Sequence, residues 1–171
     1  VKTKLLMAAA VVTFLVSSCG STEKPATQEA AVTSPGVLVE DAWVRATTGA
    51  KDTTMTAAFL SLTNPGDTDV KLTSATSPVA AVVQLHEMAM QDGKMVMREK
   101  PGGITVPAVS HAHLSPGGDH IMLMSLKRPL NPGDEVPLTL EFSDNTSHDL
   151  KVPVKAFTEE EEHYHPTPST K

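Results

Sequence analysis

Apolar and β-branched residues recur along the chain in runs of five to ten, and turn-forming residues separate the runs. The pattern predicts strands over Leu38–Arg45, Thr54–Thr63, Asp69–Ala75, Val82–Met90, Lys94–Arg98, Ser110–Leu114, Ile121–Leu126, Val136–Phe142 and His148–Ala156. Between them stand Asn64-Pro65-Gly66-Asp67, Pro101-Gly102-Gly103, Ser115-Pro116-Gly117-Gly118-Asp119, Asn131-Pro132-Gly133-Asp134 and Asp144-Asn145, all sequences that favour turns. Gln91-Asp92-Gly93-Lys94 predicts a tight hairpin. No segment carries a sustained helical period and no repeat is visible. Short antiparallel strands around one core imply an all-β, two-sheet sandwich, with Trp43 in its core.

The two ends break this pattern. Lys2 and Lys4 precede twelve mostly apolar residues, Leu5 to Val16, and then Ser17-Ser18-Cys19-Gly20. Twelve residues at 1.5 Å rise cannot cross a hydrocarbon core roughly 30 Å thick, so residues 1–18 read as a signal peptide. Small residues before a cysteine resemble a lipobox, with Cys19 as the lipidated first residue of the mature chain. Residues 19–36 are small and polar and predict a flexible tether. Residues 37–157 have the size of a single domain. Residues 158–171 carry four consecutive glutamates, Glu159 to Glu162, followed by His163 and His165, and they predict a disordered tail. The tail histidines are candidates for a weak Cu(II) or Zn(II) site, set against the plainer reading of a solvated acidic end.

Charge and cysteine narrow the function. Removing residues 1–18 takes Lys2 and Lys4 from the 14 basic residues and none of the 20 acidic ones, which leaves 12 against 20, formally −8. Such a surface argues against nucleic acid as a partner. With the single cysteine committed to lipid, the domain has no thiol. Disulfides, iron–sulfur clusters, thiol redox motifs and blue-copper centres are therefore excluded from it. Any metal must be held by His, Met, Asp or Glu.

Six of the eight methionines fall between residues 88 and 124. Strand alternation puts His86, Met88 and Met90 on one face, Met95 and Met97 on one face of the next strand, and His120, Met122 and Met124 on one face of another. Val83, Leu85, Val96, Ile121 and Leu123 fall on the opposite faces, where they suit a core. A single Met is most often a packing residue. Here His is followed two residues later by Met twice, in His86-Glu87-Met88 and His120-Ile121-Met122, and thioether with imidazole selects Cu(I) over harder cations. His111 and His113 share a strand face and read as surface residues on an edge. His148 has no evident partner and reads as solvent-exposed. No nucleophile motif or paired acid and base suggests an enzyme.

The spacing His86, ten residues, Met97, twenty-two residues, His120-x-Met122 resembles the signature of the extracytoplasmic copper chaperones called PCuAC. One residue more than the family's usual second gap is assigned to the Pro101-Gly102-Gly103 turn. Ala42-Trp43-Val44-Arg45, Ala57 to Asn64, Leu85 to Met88 and Pro116 to Met124 resemble the family's blocks as well. The resemblance implies a cupredoxin-like, Greek-key β-sandwich binding Cu(I) through His86, Met97, His120 and Met122, with Met88 and Met90 as an auxiliary shell or as packing. It also implies delivery of Cu(I) to the copper A centre of cytochrome c oxidase, with that oxidase subunit and Sco-type proteins as partners. The expected protein is a monomeric lipoprotein, on the outer face of the cell membrane or in the periplasm. A copper buffer and a metal-free structural lipoprotein are the competing functions.

Overall fold

A computed structural model of the protein describes residues 36–156. It is all β, with strands β1 (Leu38–Arg45), β2 (Met55–Asn64), β3 (Val70–Thr76), β4 (Ala80–Gln91), β5 (Lys94–Glu99), β6 (Ile104–Val106), β7 (Ser110–Leu114), β8 (His120–Leu126), β9 (Glu135–Phe142) and β10 (Ser147–Lys155). β6 is the strand that the hydrophobic pattern did not predict.

Strand neighbours run β5-β4-β8-β2-β1-β10-β9-β3-β6, and β7 pairs with β2. The two layers of a cupredoxin-like sandwich lie along this path. One is β5-β4-β8-β2-β1 with β7, and the other is β10-β9-β3-β6. They are joined where β1 meets β10 through Val44 with Val154 and Arg45 with Lys155. That joint is parallel, a correction to the expectation of antiparallel pairing alone. Leu62, Ile121 and Leu123 of the first layer share one core with Leu72, Leu138, Leu140 and Val152 of the second.

The alternation is cleanest in β9, where Val136, Leu138, Leu140 and Phe142 are buried and the residues between them are not. β8 departs from it, because His120, Ile121, Met122 and Leu123 are all buried. Ile121 and Leu123 fill the core, so His120 and Met122 are covered on the outer face of the first layer.

Three local devices shape the two layers. The β4–β5 hairpin turns on Asp92 and Gly93, both at positive φ (51° and 76°), as a two-residue turn with this sequence requires. In β1 the register slips between Glu40 and Trp43, with Asp41 at φ 51°. This bulge reverses the alternation, so Trp43 lies opposite Phe59 on the outer face, its ring 4.7 Å from that of Phe59. Trp43 is half-buried there and is not a core residue, contrary to the sequence expectation. The third device is Gly103, at φ 75°, where an added Cβ would stand 2.5 Å from the Leu72 carbonyl oxygen. The turn leaving β5 thereby runs flush against β3.

Candidate metal centre

The register of three strands assembles the predicted residues. His86 lies directly opposite His120 across the β4–β8 pair, and Gln84 lies opposite Met122. On the other side of β4, Met88 faces Met97 and Met90 faces Met95. On the other side of β8, Ala57 faces Met122 and Met55 faces Met124. Directly opposed residues share a face, as do residues two apart along a strand. All seven methionines among the described residues therefore lie on one face of one sheet, together with His86 and His120.

The hydrogen bonds of the two histidines define where their lone pairs are. His120 Nδ1 is 2.9 Å from the carbonyl oxygen of Gly118. A carbonyl only accepts, so Nδ1 carries the proton and Nε2 the bare lone pair. For His86 the decision is made one residue further out. Gln84 Nε2 donates to Glu99 Oε2 at 3.1 Å, which turns Gln84 Oε1 toward His86 Nε2, also at 3.1 Å. His86 Nε2 is then the donor, and its Nδ1 is bare. His86 Nδ1 and His120 Nε2 are both buried and have no hydrogen-bond partner. The two rings stand 5.8 Å apart, centroid to centroid.

Buried acceptors without partners are costly, and here two of them occur on facing residues with their other nitrogens fixed by second groups. That is the arrangement found around metal-binding imidazoles. Burial, and then the neighbouring His120, hold the His86 pKa below the ordinary value near 6.5 against the opposing pull of Glu99, which favours the neutral, ligating ring. Among the described residues, no group of three or more His, Cys, Asp or Glu is placed to hold a metal ion. The soft donors adjacent to this imidazole pair on the same face are thioethers, those of Met88, Met97 and Met122.

Exposure is graded across the face. His120 and Met122 are buried at 3% and 8%, His86 and Met88 are half-buried, and Met97 is 51% exposed. The bottom of the site is shielded and its rim is open. A set of charges ties the pieces together on the neighbouring strand ends. Lys100 Nζ lies 3.0 Å from Asp119 Oδ2 and 3.2 Å from Glu87 Oε2, and Glu87 Oε1 is 2.7 Å from Arg98 Nη2. Hydrogen bonds from Arg98 and then Lys100 lower the Glu87 pKa. For Lys100, burial works to lower the pKa, but the bonds to Asp119 and Glu87 outweigh it and the value is raised. Lys100 thus pins the glycine-rich turn before His120 to the β4–β5 hairpin that carries His86 and Met97.

The remaining candidates divide between this face and other parts of the domain. Met88 and Met90 share the site's face. His111 and His113 are exposed, with rings 4.8 Å apart and His113 Nδ1 2.9 Å from Ser61 Oγ. His148 is not free in solvent as expected: it is half-buried, edge-on to Phe142 at 5.5 Å. Val96 is half-buried and does not join the core, because the hairpin's end extends beyond it. Cys19, His163 and His165 lie outside the described residues. Gln84, Glu99, Lys100 and Asp119 were missed by sequence reasoning. Gln84 had a legible signal, standing two residues before His86 on the same face, whereas the others depend on cross-strand register.

Residues 37–154 match the family model described as "Putative lipoprotein LpqE-like". The chain belongs to this family, which is of PCuAC type. The "Putative lipoprotein Lxx21020" of Leifsonia xyli subsp. xyli is 40% identical over 164 residues, covering 95% of this chain and 96% of that protein. The solution structure of CuI-DR1885 from Deinococcus radiodurans is 35% identical and has a TM-score of 0.59, with 77% of this chain and 86% of that one covered. The copper-bound PCuAC domain from PmoF2 shares the fold at 21% identity and a TM-score of 0.58, covering 72% of this chain and 95% of that domain.

Proposed function

We propose that this domain binds one Cu(I) tightly through His86 Nδ1, His120 Nε2 and the thioethers of Met97 and Met122, and passes it to a protein acceptor outside the cytoplasm. The observation that carries this reading is the pair of buried, unpartnered imidazole nitrogens on facing residues of a methionine-bearing sheet face. Two neutral nitrogens and two neutral sulfurs suit a soft monovalent ion and not a hard divalent one. Met neither titrates nor forms disulfides, so such a site keeps working where thiols are oxidised. The half-exposed Met97 favours transfer over storage, because an incoming donor can displace a rim ligand while the two buried imidazole nitrogens still hold the ion. The protein carries cargo and performs no turnover in this reading.

The finer assignments belong to the same proposal. Likeness to PCuAC proteins supports the copper A centre of cytochrome c oxidase as the destination, with Sco-type proteins as co-workers. The lipoprotein relatives support lipidation at Cys19 and a membrane-anchored, extracytoplasmic domain over residues 37–157, with the tail dispensable for tight Cu(I) binding. Cys19→Ser should release the protein from the membrane fraction; wild-type fractionation of that variant would sink the anchor.

The ligand set is tested by anaerobic titration against a competing Cu(I) chelator. Wild type should take up one tightly bound equivalent. Met97→Leu conserves volume and removes the sulfur, so the fold should survive at a cost below about 1.5 kcal/mol. Its Cu(I) affinity should fall by about tenfold or more, the scale of loss seen when a metal centre is perturbed. Unchanged affinity would remove Met97 from the site.

A further inference from the structure

The β4–β5 hairpin outruns the sheet that carries it. The pairing of β4 with β8 ends at His86, yet β4 and β5 continue together to the turn at Asp92 and Gly93. On one face of this two-stranded ribbon stand two cross-strand pairs of methionine, Met88 with Met97 and Met90 with Met95. Met90, Met95 and Met97 are 65%, 54% and 51% exposed, among the largest exposures of any apolar side chain in the described residues. The other face of the ribbon bears the Glu87–Arg98 ion pair and the smaller Ala89 and Val96. Core packing does not explain the methionines, since the exposed three are not covered. The property that the four share, and that the opposite face lacks, is sulfur.

We propose that Met88, Met90, Met95 and Met97 form a second, weaker Cu(I) site made of thioethers alone. This inference rests on the reading of His86, Met97, His120 and Met122 as the tight site. Opposed residues on a shared face have Cβ atoms about 4.5–5.5 Å apart, and successive rows lie about 7 Å apart along the strand. Unbranched methionine side chains have the reach and rotamer freedom to bring three or four sulfurs to one ion within such a square. Thioethers without imidazole retain the preference for Cu(I), and an exposed, flexible site of this kind binds less tightly than one anchored by two buried imidazole nitrogens. Met97 belongs to both sets and Met88 is its direct partner, so the ribbon continues the donor face of the tight site outward to the hairpin turn. Copper can enter or leave by exchanging one sulfur at a time, without ever being released to water.

The test is an anaerobic Cu(I) titration with a pair of competing chelators, one weak and one strong, on full-length wild type and on Met90→Leu/Met95→Leu. The double variant leaves all four tight-site ligands in place and conserves the volume and apolarity of the ribbon. Wild type should bind one tight and one weaker equivalent, the second held by Met88, Met90 and Met95 while Met97 holds the first. The double variant should keep the tight equivalent with affinity unchanged to within about twofold and lose the weaker one by about tenfold or more. A wild type that takes up only the tight equivalent, or a double variant that binds the second as well as wild type, overturns the ribbon site and leaves the tight site standing. A wild type that binds no Cu(I) overturns the proposed function and the ribbon site with it.

Discussion

His120→Ala should abolish tight Cu(I) binding, with a loss well beyond about a hundredfold, the upper end of what the removal of an outer-shell partner costs a metal centre. The residue supplies one of the two bare nitrogens, at the most shielded point of the face, 3% exposed between the rings of His86 and Phe59. Among the described residues no other imidazole beside His86 is placed to replace it, since His111 and His113 are on β7 and His148 packs on Phe142. The same substitution should uncouple copper from folding. In the proposed site, Cu(I) bound to the folded domain would relieve two unsatisfied buried acceptors, so at about a thousandfold excess over Kd it should stabilise the fold by about 4 kcal/mol. Calorimetric unfolding with and without Cu(I) reads both effects. An upward shift in the variant equal to that of wild type would show that copper is held elsewhere.

The second large effect separates stability from binding along a single strand. Ile121 is fully buried in the core between Leu85 and Ala58, whereas Met122, the next residue, faces the methionine side of the sheet. Ile121→Ala should destabilise the domain by about 2–5 kcal/mol through lost burial and the cavity left behind. Met122→Leu should cost less than about 1.5 kcal/mol and weaken Cu(I) binding instead. Denaturant unfolding and chelator competition on the two variants should thus give opposite rankings. If Met122→Leu proves the more destabilising and binds copper as wild type does, the residue is a packing residue and the face assignment is wrong.

Much of this arrangement is legible in the sequence because strand alternation is local. His86-x-Met88-x-Met90 and His120-x-Met122-x-Met124 declare shared faces without any knowledge of the partner strands, and Asp92-Gly93 fixes the hairpin that sets Met88 against Met97. Where alternation is interrupted, the reading fails. The bulge at Asp41 changes the phase of β1 and carries Trp43 out of the core. β6 is only three residues long, between Gly103 and Pro107, and is held by pairing with β3 and not by any period of its own. Val96 has the right parity for the core, but the ribbon projects past the layer that would cover it. His148 finds Phe142 only through the folding of the β9–β10 hairpin.

The candidate site divides in the same way. Residue types and spacing indicate soft-metal chemistry, but the direct opposition of His86 and His120 is a non-local register. The identity of the bare nitrogens depends on groups that no spacing rule points to. Gly118 offers a backbone carbonyl, Gln84 acts through its amide orientation, and that orientation is set by Glu99 on the next strand. The Lys100 clamp joins a turn to a hairpin nineteen residues away along the chain. Local pattern names the donors, and tertiary hydrogen bonding decides which atoms are free to donate.

In the proposed site, two imidazole nitrogens and two thioether sulfurs meet one Cu(I). X-ray absorption of the protein loaded with a single equivalent measures that shell directly. The predicted spectrum is that of Cu(I) with two nitrogens at roughly 2.0–2.1 Å and two sulfurs near 2.3 Å, losing one sulfur in Met97→Leu and another in Met122→Leu. A shell of nitrogen and oxygen alone, or one unchanged by both substitutions, would contradict it.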